Sequence, residues 1–338
     1  MPCRVVVFKQ ILKKRVNMKI LTMKQAVLST LVMASLAALP ASAETLSNKL
    51  LLTGGVSQVE GAAGGGLTPW AVIGGYGTNN EVGGNVHYTY VKTSDYDLDT
   101  YGFTIGLFDR VEFSVAEQSF GVKNLRKKVE AALPGAIGRN NLKQTIVGIK
   151  VRVAGEAVLD ADTWMPQIAV GLQYKDNDEG DFVKSAVVGA KNDHGTDVYI
   201  AATKLLLDKN LLLNGTLRFT KANQFGLLGF GGDKHDNYQP MIELSTAYLL
   251  RKDLAIGAEY RMKPNNLRSP ANDLLFGGAN VVDLKEEDAF DVFVAYAPTK
   301  NISLTAAYAY LGNIATVKAV NADFGRQDGL YLSAQIGF

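Results

Sequence analysis

Cysteine and histidine are scarce in this 338-residue sequence, and beyond residue 43 it holds no long apolar run. The one cysteine is Cys3, so a chain freed of its first residues has no disulfide, no thiolate metal ligand and no cysteine nucleophile. A lipid anchor would need a cysteine directly after an apolar leader, and none stands there. A membrane-spanning helix needs about 18 consecutive apolar residues, which the chain past residue 43 does not supply. The three histidines, His87, His194 and His235, leave little material for a hydrolytic Ser-His pair or a histidine metal centre. His194 and His235 adjoin Asp193 and Asp236 in polar stretches that read as solvated turns. No metal and no other cofactor is expected.

Three further signatures fail in detail. The stretch Lys175-Asp176-Asn177-Asp178-Glu179-Gly180-Asp181 is rich in oxygen ligands but lacks the register of a calcium-binding loop, and it reads as an external loop near lipopolysaccharide. Gly64-Gly65-Gly66 is followed by Leu67-Thr68-Pro69, not by the Lys-Ser/Thr of a phosphate-binding loop. No basic patch interleaved with aromatics occurs, so nucleic acid is not an expected partner.

What is present begins with an export signal. Lys19 and Lys24 lead into the apolar run 26–39, followed by Pro40 and the small-residue site Ala41, Ser42, Ala43, the three-part layout of a secretory signal peptide. Cleavage is expected before Glu44, leaving a barrel domain over 44–338. The long basic lead is explained if translation starts at Met18 or Met23. The whole chain has 35 Lys and Arg against 33 Asp and Glu, but residues 1–43 carry seven of the basic residues and no acid. The remainder holds 28 basic and 33 acidic residues, a net charge of −5.

Beyond the signal, apolar residues alternate with polar ones in segments of about 9 to 13 residues, the length of a strand tilted across a bilayer. In 253–263, Leu254, Ile256, Ala258, Tyr260 and Met262 share one face, while Glu259, Arg261 and Lys263 share the other. The same pattern recurs in 145–154, 211–220 and 301–312. A soluble sandwich with its charged face outward would alternate in the same way. Four features favour the membrane. Aromatics cluster near strand ends, among them Trp70, Tyr76, Tyr88, Tyr101, Trp164, Tyr174, Tyr248 and Tyr308, as in interfacial girdles. Short connections (109–110, 207–210, 251–253, 298–301) alternate with long polar ones (121–140, 177–195, 222–237, 264–287, 313–327). Many of the 34 glycines fall inside strands, where a curved sheet tolerates them. The last strand carries Leu332, Ile336 and Phe338 on one face and ends on that aromatic, the form of signal read by the outer-membrane barrel assembly machinery.

The expected fold is therefore all-β: a transmembrane antiparallel up-and-down barrel integral to the outer membrane. The expected strands are 69–77, 81–92, 98–108, 111–120, 142–154, 164–176, 196–206, 211–221, 239–250, 253–263, 288–297, 301–312 and 328–338. That odd number conflicts with the even counts of single-chain bacterial barrels. Adding 48–59 gives fourteen strands, the favoured count. The alternative is twelve strands with 44–80 folded into the lumen as a plug, which the flexible run Glu60-Gly61-Ala62-Ala63-Gly64-Gly65-Gly66-Leu67 allows.

The polar face carries His87, Glu112, Lys150, Arg152, Lys175, Arg218, Glu243, Glu259, Arg261, Lys263 and Asp291. These are the candidates to line an aqueous channel and set its preference, or else to pair across a filled lumen. Basic residues outnumber acids seven to four in this set, His87 included, a weak lean toward anions. The signal peptide, the opening from Leu51-Leu52-Thr53-Gly54-Gly55-Val56 to Pro69-Trp70-Ala71 and the terminal strand together resemble a porin-like family of Gram-negative outer-membrane barrels of unknown function. The resemblance implies the architecture and no site residue. The leading expectation is a passive channel for small hydrophilic solutes, surrounded by outer-membrane lipids and lipopolysaccharide. The alternatives are a structural or adhesive barrel with a packed lumen and, more remotely, a membrane-embedded hydrolase.

Overall fold

Twelve alternating segments form the wall of a closed antiparallel barrel in the computed structural model, which describes residues 49, 52 and 56–338 other than 132–133, 158–163 and 319–321. The signal peptide expected over 1–43 lies outside the described residues. The wall strands are β1 (Val82–Thr93), β2 (Asp97–Leu107), β3 (Val111–Gly121), β4 (Asn141–Ala154), β5 (Gln167–Asn177) and β6 (His194–Leu206). They continue as β7 (Leu211–Thr220), β8 (Gln239–Arg251), β9 (Leu254–Arg261), β10 (Ala289–Tyr296), β11 (Ile302–Gly312) and β12 (Gln327–Gly337). Each pairs with its neighbours in sequence, and β12 closes on β1 from Gly329↔Thr93 to Gly337↔Asn85. Closure leaves no unpaired sheet edge, the condition for a strand structure in hydrocarbon.

The burial pattern decides between membrane and water. In β10, Ala289, Asp291, Phe293 and Ala295 point inward, while Phe290, Val292, Val294 and Tyr296 point out. Inward-facing Arg218, Lys150, Lys175 and Glu243 are at most 1% exposed, whereas outward-facing Val292, Tyr308, Leu244 and Ile242 are 49–62% exposed. Charges inside and aliphatics outside are the reverse of a soluble sandwich, and such an outer face is stable only against lipid. The chain is an integral outer-membrane barrel.

Apart from the short connection 94–96 at the external end and the long connection 155–166 at the periplasmic end, strand ends follow the alternation of short and long connections. With the end of β12 in the periplasm, 108–110, 207–210, 252–253 and 297–301 are tight periplasmic turns. In the first of these, Phe108 (φ 55°) and Asp109 (φ 48°) both adopt the left-handed conformation that matches strand twist. Ion pairs from Arg152 and Lys49 to Asp109 hold that turn in place. The long connections 122–140, 178–193, 221–238, 262–288 and 313–326 lie at the external end. There, loop residues including Val183, Leu227, Phe230, Leu267, Leu284 and Phe324 bury one another in a folded cap.

Two expected strands are not in the wall. Of 48–59, residues 49, 52 and 56–59 are described, and Val56–Ser57 pairs with Ala63–Gly64 in a two-residue ladder. The segment 69–77 contains no strand; Pro69 makes one isolated bridge to Gly64. The barrel thus has twelve strands, not the favoured fourteen, and the N-terminal segment runs inside the lumen as the alternative had it. Trp70, expected in a lipid-facing girdle, is buried in the lumen, where its indole N–H donates to Ser245.

Candidate functional site

The N-terminal segment enters at the periplasmic end, where Lys49 Nζ reaches Asp109 at 2.6 Å and donates to the Ile73 carbonyl at 3.0 Å. It ascends past Ser57, whose hydroxyl meets Asn85 and Gln335, and reverses over residues 58–67. That reversal is closed by Val59 N–H to the Gly66 carbonyl and by Gln58 Nε2 to the Leu67 carbonyl at 2.7 Å. The chain then descends through Thr68, Trp70 and Ala71 to Tyr76, whose N–H donates to the Phe338 carbonyl. Glycine is required where the reversal meets the wall: a Cβ on Gly65 would lie 1.9 Å from Glu259 Oε1, and Gly61 (φ +94°) presses on Ala116.

Irregular backbone inside a barrel is tolerated only where the wall satisfies its polar groups. Among the described residues, hydrogen bonds or ion pairs to this segment come from ten of the twelve strands. Asn85 of β1, Thr104 of β2, Glu112 and Gln118 of β3, and Lys150 of β4 contribute one side. Gln167 of β5, Thr203 of β6, Thr216 of β7, Ser245 of β8, Glu259 of β9 and Gln335 of β12 complete it. Residues 56–75 are buried throughout, so this segment is a plug.

At the top of the plug sits Glu60, fully buried. Lys175 Nζ and Arg261 Nη2 (3.0 Å) pair with its Oε1, and Arg218 Nη2 lies 3.6 Å from its Oε2. The wall supplies two more acids to the same cations. Asp197 lies 2.8 Å from Lys175 and 3.3 Å from Arg218, and Glu243 lies 2.5 Å from Arg218 and 3.3 Å from Arg261. Burial on its own disfavours the Glu60 carboxylate, and the three cations Arg261, Lys175 and Arg218 around it offset that cost. From above, the external cap presses down a turn over 223–226. The Phe225 ring lies 4.3 Å from the Arg261 guanidinium, and the Phe225 carbonyl accepts from Lys175 at 3.2 Å. Gln224 and Phe225 both have positive φ (45° and 62°), backbone strain that the packing around the turn sustains.

The structure places all eleven lumen candidates in buried positions, but it does not bring them together as one site. Lys175, Arg218, Glu243 and Arg261 form the cluster around Glu60. Glu112 and Lys150 pair at 3.0 Å lower in the barrel, where Lys150 also donates to the Ala63 and Trp70 carbonyls. Arg152 pairs with Asp109 and Glu156 at the periplasmic end. Glu259 accepts from Leu67 N–H, Thr68 and Ser245. Lys263 lies beyond the end of β9, in the cap, donating to Gln224 Oε1 and the Leu311 carbonyl. Beside it in the cap, burial pushes the Glu286 carboxyl up to about 7, where it accepts from Gln224 N–H. The Asp291 carboxylate and both His87 ring nitrogens are buried without a hydrogen-bond partner among the described residues.

His194 is exposed and 2.9 Å from Asp193, and His235 is exposed in the cap. Leu332 and Ile336 of the terminal strand face outward. Glu60 and Asp197 were not singled out from sequence. The legible sign of Glu60 was an acid in a glycine-rich run, set against an excess of base on the wall.

The family described as "Protein of unknown function (DUF3034)" matches residues 53–335. Among the curated proteins no relative matches. Among solved structures, the chain is similar to the KdgM porin at 12% identity and TM-score 0.42, covering 75% of this chain and 99% of that one. An outer-membrane channel from Pseudomonas putida F1 is similar at 11% identity and TM-score 0.40, covering 80% of this chain and 96% of that one. Outer membrane phospholipase A from Escherichia coli is similar at 10% identity and TM-score 0.40, covering 78% of this chain and 94% of that one. A channel and an enzyme share this likeness equally, so no activity follows from it.

Proposed function

The chain belongs to the DUF3034 family, and on that premise we propose that it is a porin-like outer-membrane channel held shut by its own N-terminal segment, with small hydrophilic solutes passing when that segment withdraws. One observation carries the reading: three lumen cations that would line a passage, Lys175, Arg218 and Arg261, are engaged with a segment that comes from outside the wall. Glu60 is held by cations on β5, β7 and β9. A barrel built only as a scaffold could fill its interior with wall side chains that pair directly across strands, as Glu112 and Lys150 do. Here the filling is a separable strand of backbone, entering and leaving at the periplasmic end.

The structural reading has its own support in the plug's attachment to ten strands, which favours a permanent stopper. Planar-bilayer recording separates the two. The channel reading expects rare openings from the intact protein and frequent ones from Glu60→Gln. Silence from both proteins, in bilayers where each is shown to be folded and inserted, removes the channel reading and leaves the stopper.

A further inference from the structure

The charge balance around Glu60 is uneven in an informative way. The wall brings three cations together, Lys175, Arg218 and Arg261, and two acids of its own, Asp197 and Glu243. All five are buried, so within this cluster the wall's own ion pairs leave one positive charge without a partner. A buried charge is tolerated only when paired, and the missing negative charge is supplied by the plug. Lys150 shows the contrast. Its charge is met by Glu112 directly opposite on the next strand, and from the plug it takes only carbonyls.

The donors address a carboxylate from several sides. Lys175 and Arg261 converge on Oε1, Arg218 approaches Oε2, and Gln58 Nε2 donates to Oε2 at 3.1 Å. Three of these four donors belong to the wall and remain if the plug leaves. Directly beside them lies the Phe225 ring, an apolar surface that suits the carbon skeleton of an organic acid better than an inorganic anion.

We infer that Lys175, Arg218 and Arg261 form a binding site for the carboxylate of a small organic acid, and that Glu60 occupies this site as an internal stand-in with which such a solute competes. Its physiological meaning rests on the plugged-channel reading, because the site is exposed only when the plug withdraws. The binding chemistry itself does not depend on conduction.

Removing the stand-in tests it. Glu60→Ala leaves a carboxylate-sized gap facing three cations, and the probe is sodium acetate compared with sodium chloride at equal ionic strength and with acetamide, its neutral analogue. The melting midpoint of Glu60→Ala in detergent is expected to lie below wild type and to rise saturably with acetate alone. The rise should vanish when Arg261→Gln is added, and wild type, its site filled, should show none. Absence of an acetate-specific rise in Glu60→Ala, or an equal rise in wild type, overturns the inference. If Glu60→Ala does not refold, Glu60→Ser leaves a similar gap facing the same cations, the same rise is expected, and its absence is equally decisive. Because no current is measured, a permanently shut barrel leaves a positive result standing, and a conducting barrel without the acetate effect removes the site alone.

Discussion

The plug meets two very different flanks of the lumen. Toward β5 through β9 it is locked by charge, with Glu60 facing three cations and Glu259 receiving Leu67 N–H at 2.7 Å. Toward β10 and β11 it receives no hydrogen bond among the described residues. A cavity of about 40 Å³ between plug and cap is lined by Val59 and Leu67 of the plug and by wall residues of β1, β2, β3, β11 and β12, such as Val91, Leu98, Phe120, Ala309 and Tyr331. Asp291 stands on the β10 side, its carboxylate without a hydrogen-bond partner among the described residues and close to Gly66. The difference teaches where closure is held: the plug is fastened on one flank and merely packed on the other. Changes to the charged flank should therefore loosen it, and changes to the packed flank should not.

The largest effect is expected from Arg218→Met. It leaves Glu60, Asp197 and Glu243 sharing two cations, and removing one partner of a buried ion pair costs about 3–5 kcal/mol. Equilibrium unfolding in lipid vesicles measures this. A loss below about 1 kcal/mol, the level of an exposed pair, would mean that the charged flank is not a lock. Glu60→Gln comes next, at about 1–3 kcal/mol, since the amide keeps the shape and part of the hydrogen bonding.

On the other flank, Asp291→Asn changes a buried carboxyl group that has no hydrogen-bond partner among the described residues. It should leave stability unchanged or raise it by about 1 kcal/mol. A loss equal to that of Glu60→Gln would erase the distinction between the flanks.

The smallest effect concerns the cap. Burial raises Glu286 from its ordinary 4.5 to about 7, so between those values the folded protein keeps a proton that the unfolded chain releases. The contribution of Glu286 is full below pH 4.5 and is lost as pH rises to about 7. Amide exchange of residues 223–231, corrected for intrinsic rate, should speed up across that interval in wild type and flatten in Glu286→Gln. Identical profiles would show that Glu286 does not set the cap's pH response.

The wall was legible in the sequence because lipid on one side and polar lumen on the other impose a period of two. Twelve of the thirteen alternating segments became wall strands, with ends displaced by a few residues. The segment 69–77 misled because Trp70, Val72 and Ile73 are as buried in a filled lumen as they would be against lipid, and hydrophobicity does not say which. Its neighbours held the contrary sign. Gly61, Gly64 and Gly65 permit approaches that a β-carbon would crowd, as at Glu259, and no straight wall strand needs three of them in five residues. The parity argument was sound, but it was resolved by removing a strand and not by adding one. Within the site, the inward set could be read from alternation, whereas its partners could not. Which cation meets Glu60 depends on shear and closure of the barrel, which bring Lys175, Arg218 and Arg261 together from strands far apart in sequence.

The central claim is that this plug closes a passage and must move for anything to cross. Past residue 43 the chain has no cysteine, so a single engineered pair can lock it. Thr68 of the plug and Ser245 of β8 are hydrogen-bonded through their hydroxyls, and Thr68→Cys with Ser245→Cys places two thiols at that contact. Single-channel recording should show no current from the oxidised protein and intermittent openings once the disulfide is reduced. Equal current in both states would contradict the account, because solutes would then be crossing past a plug that never moves.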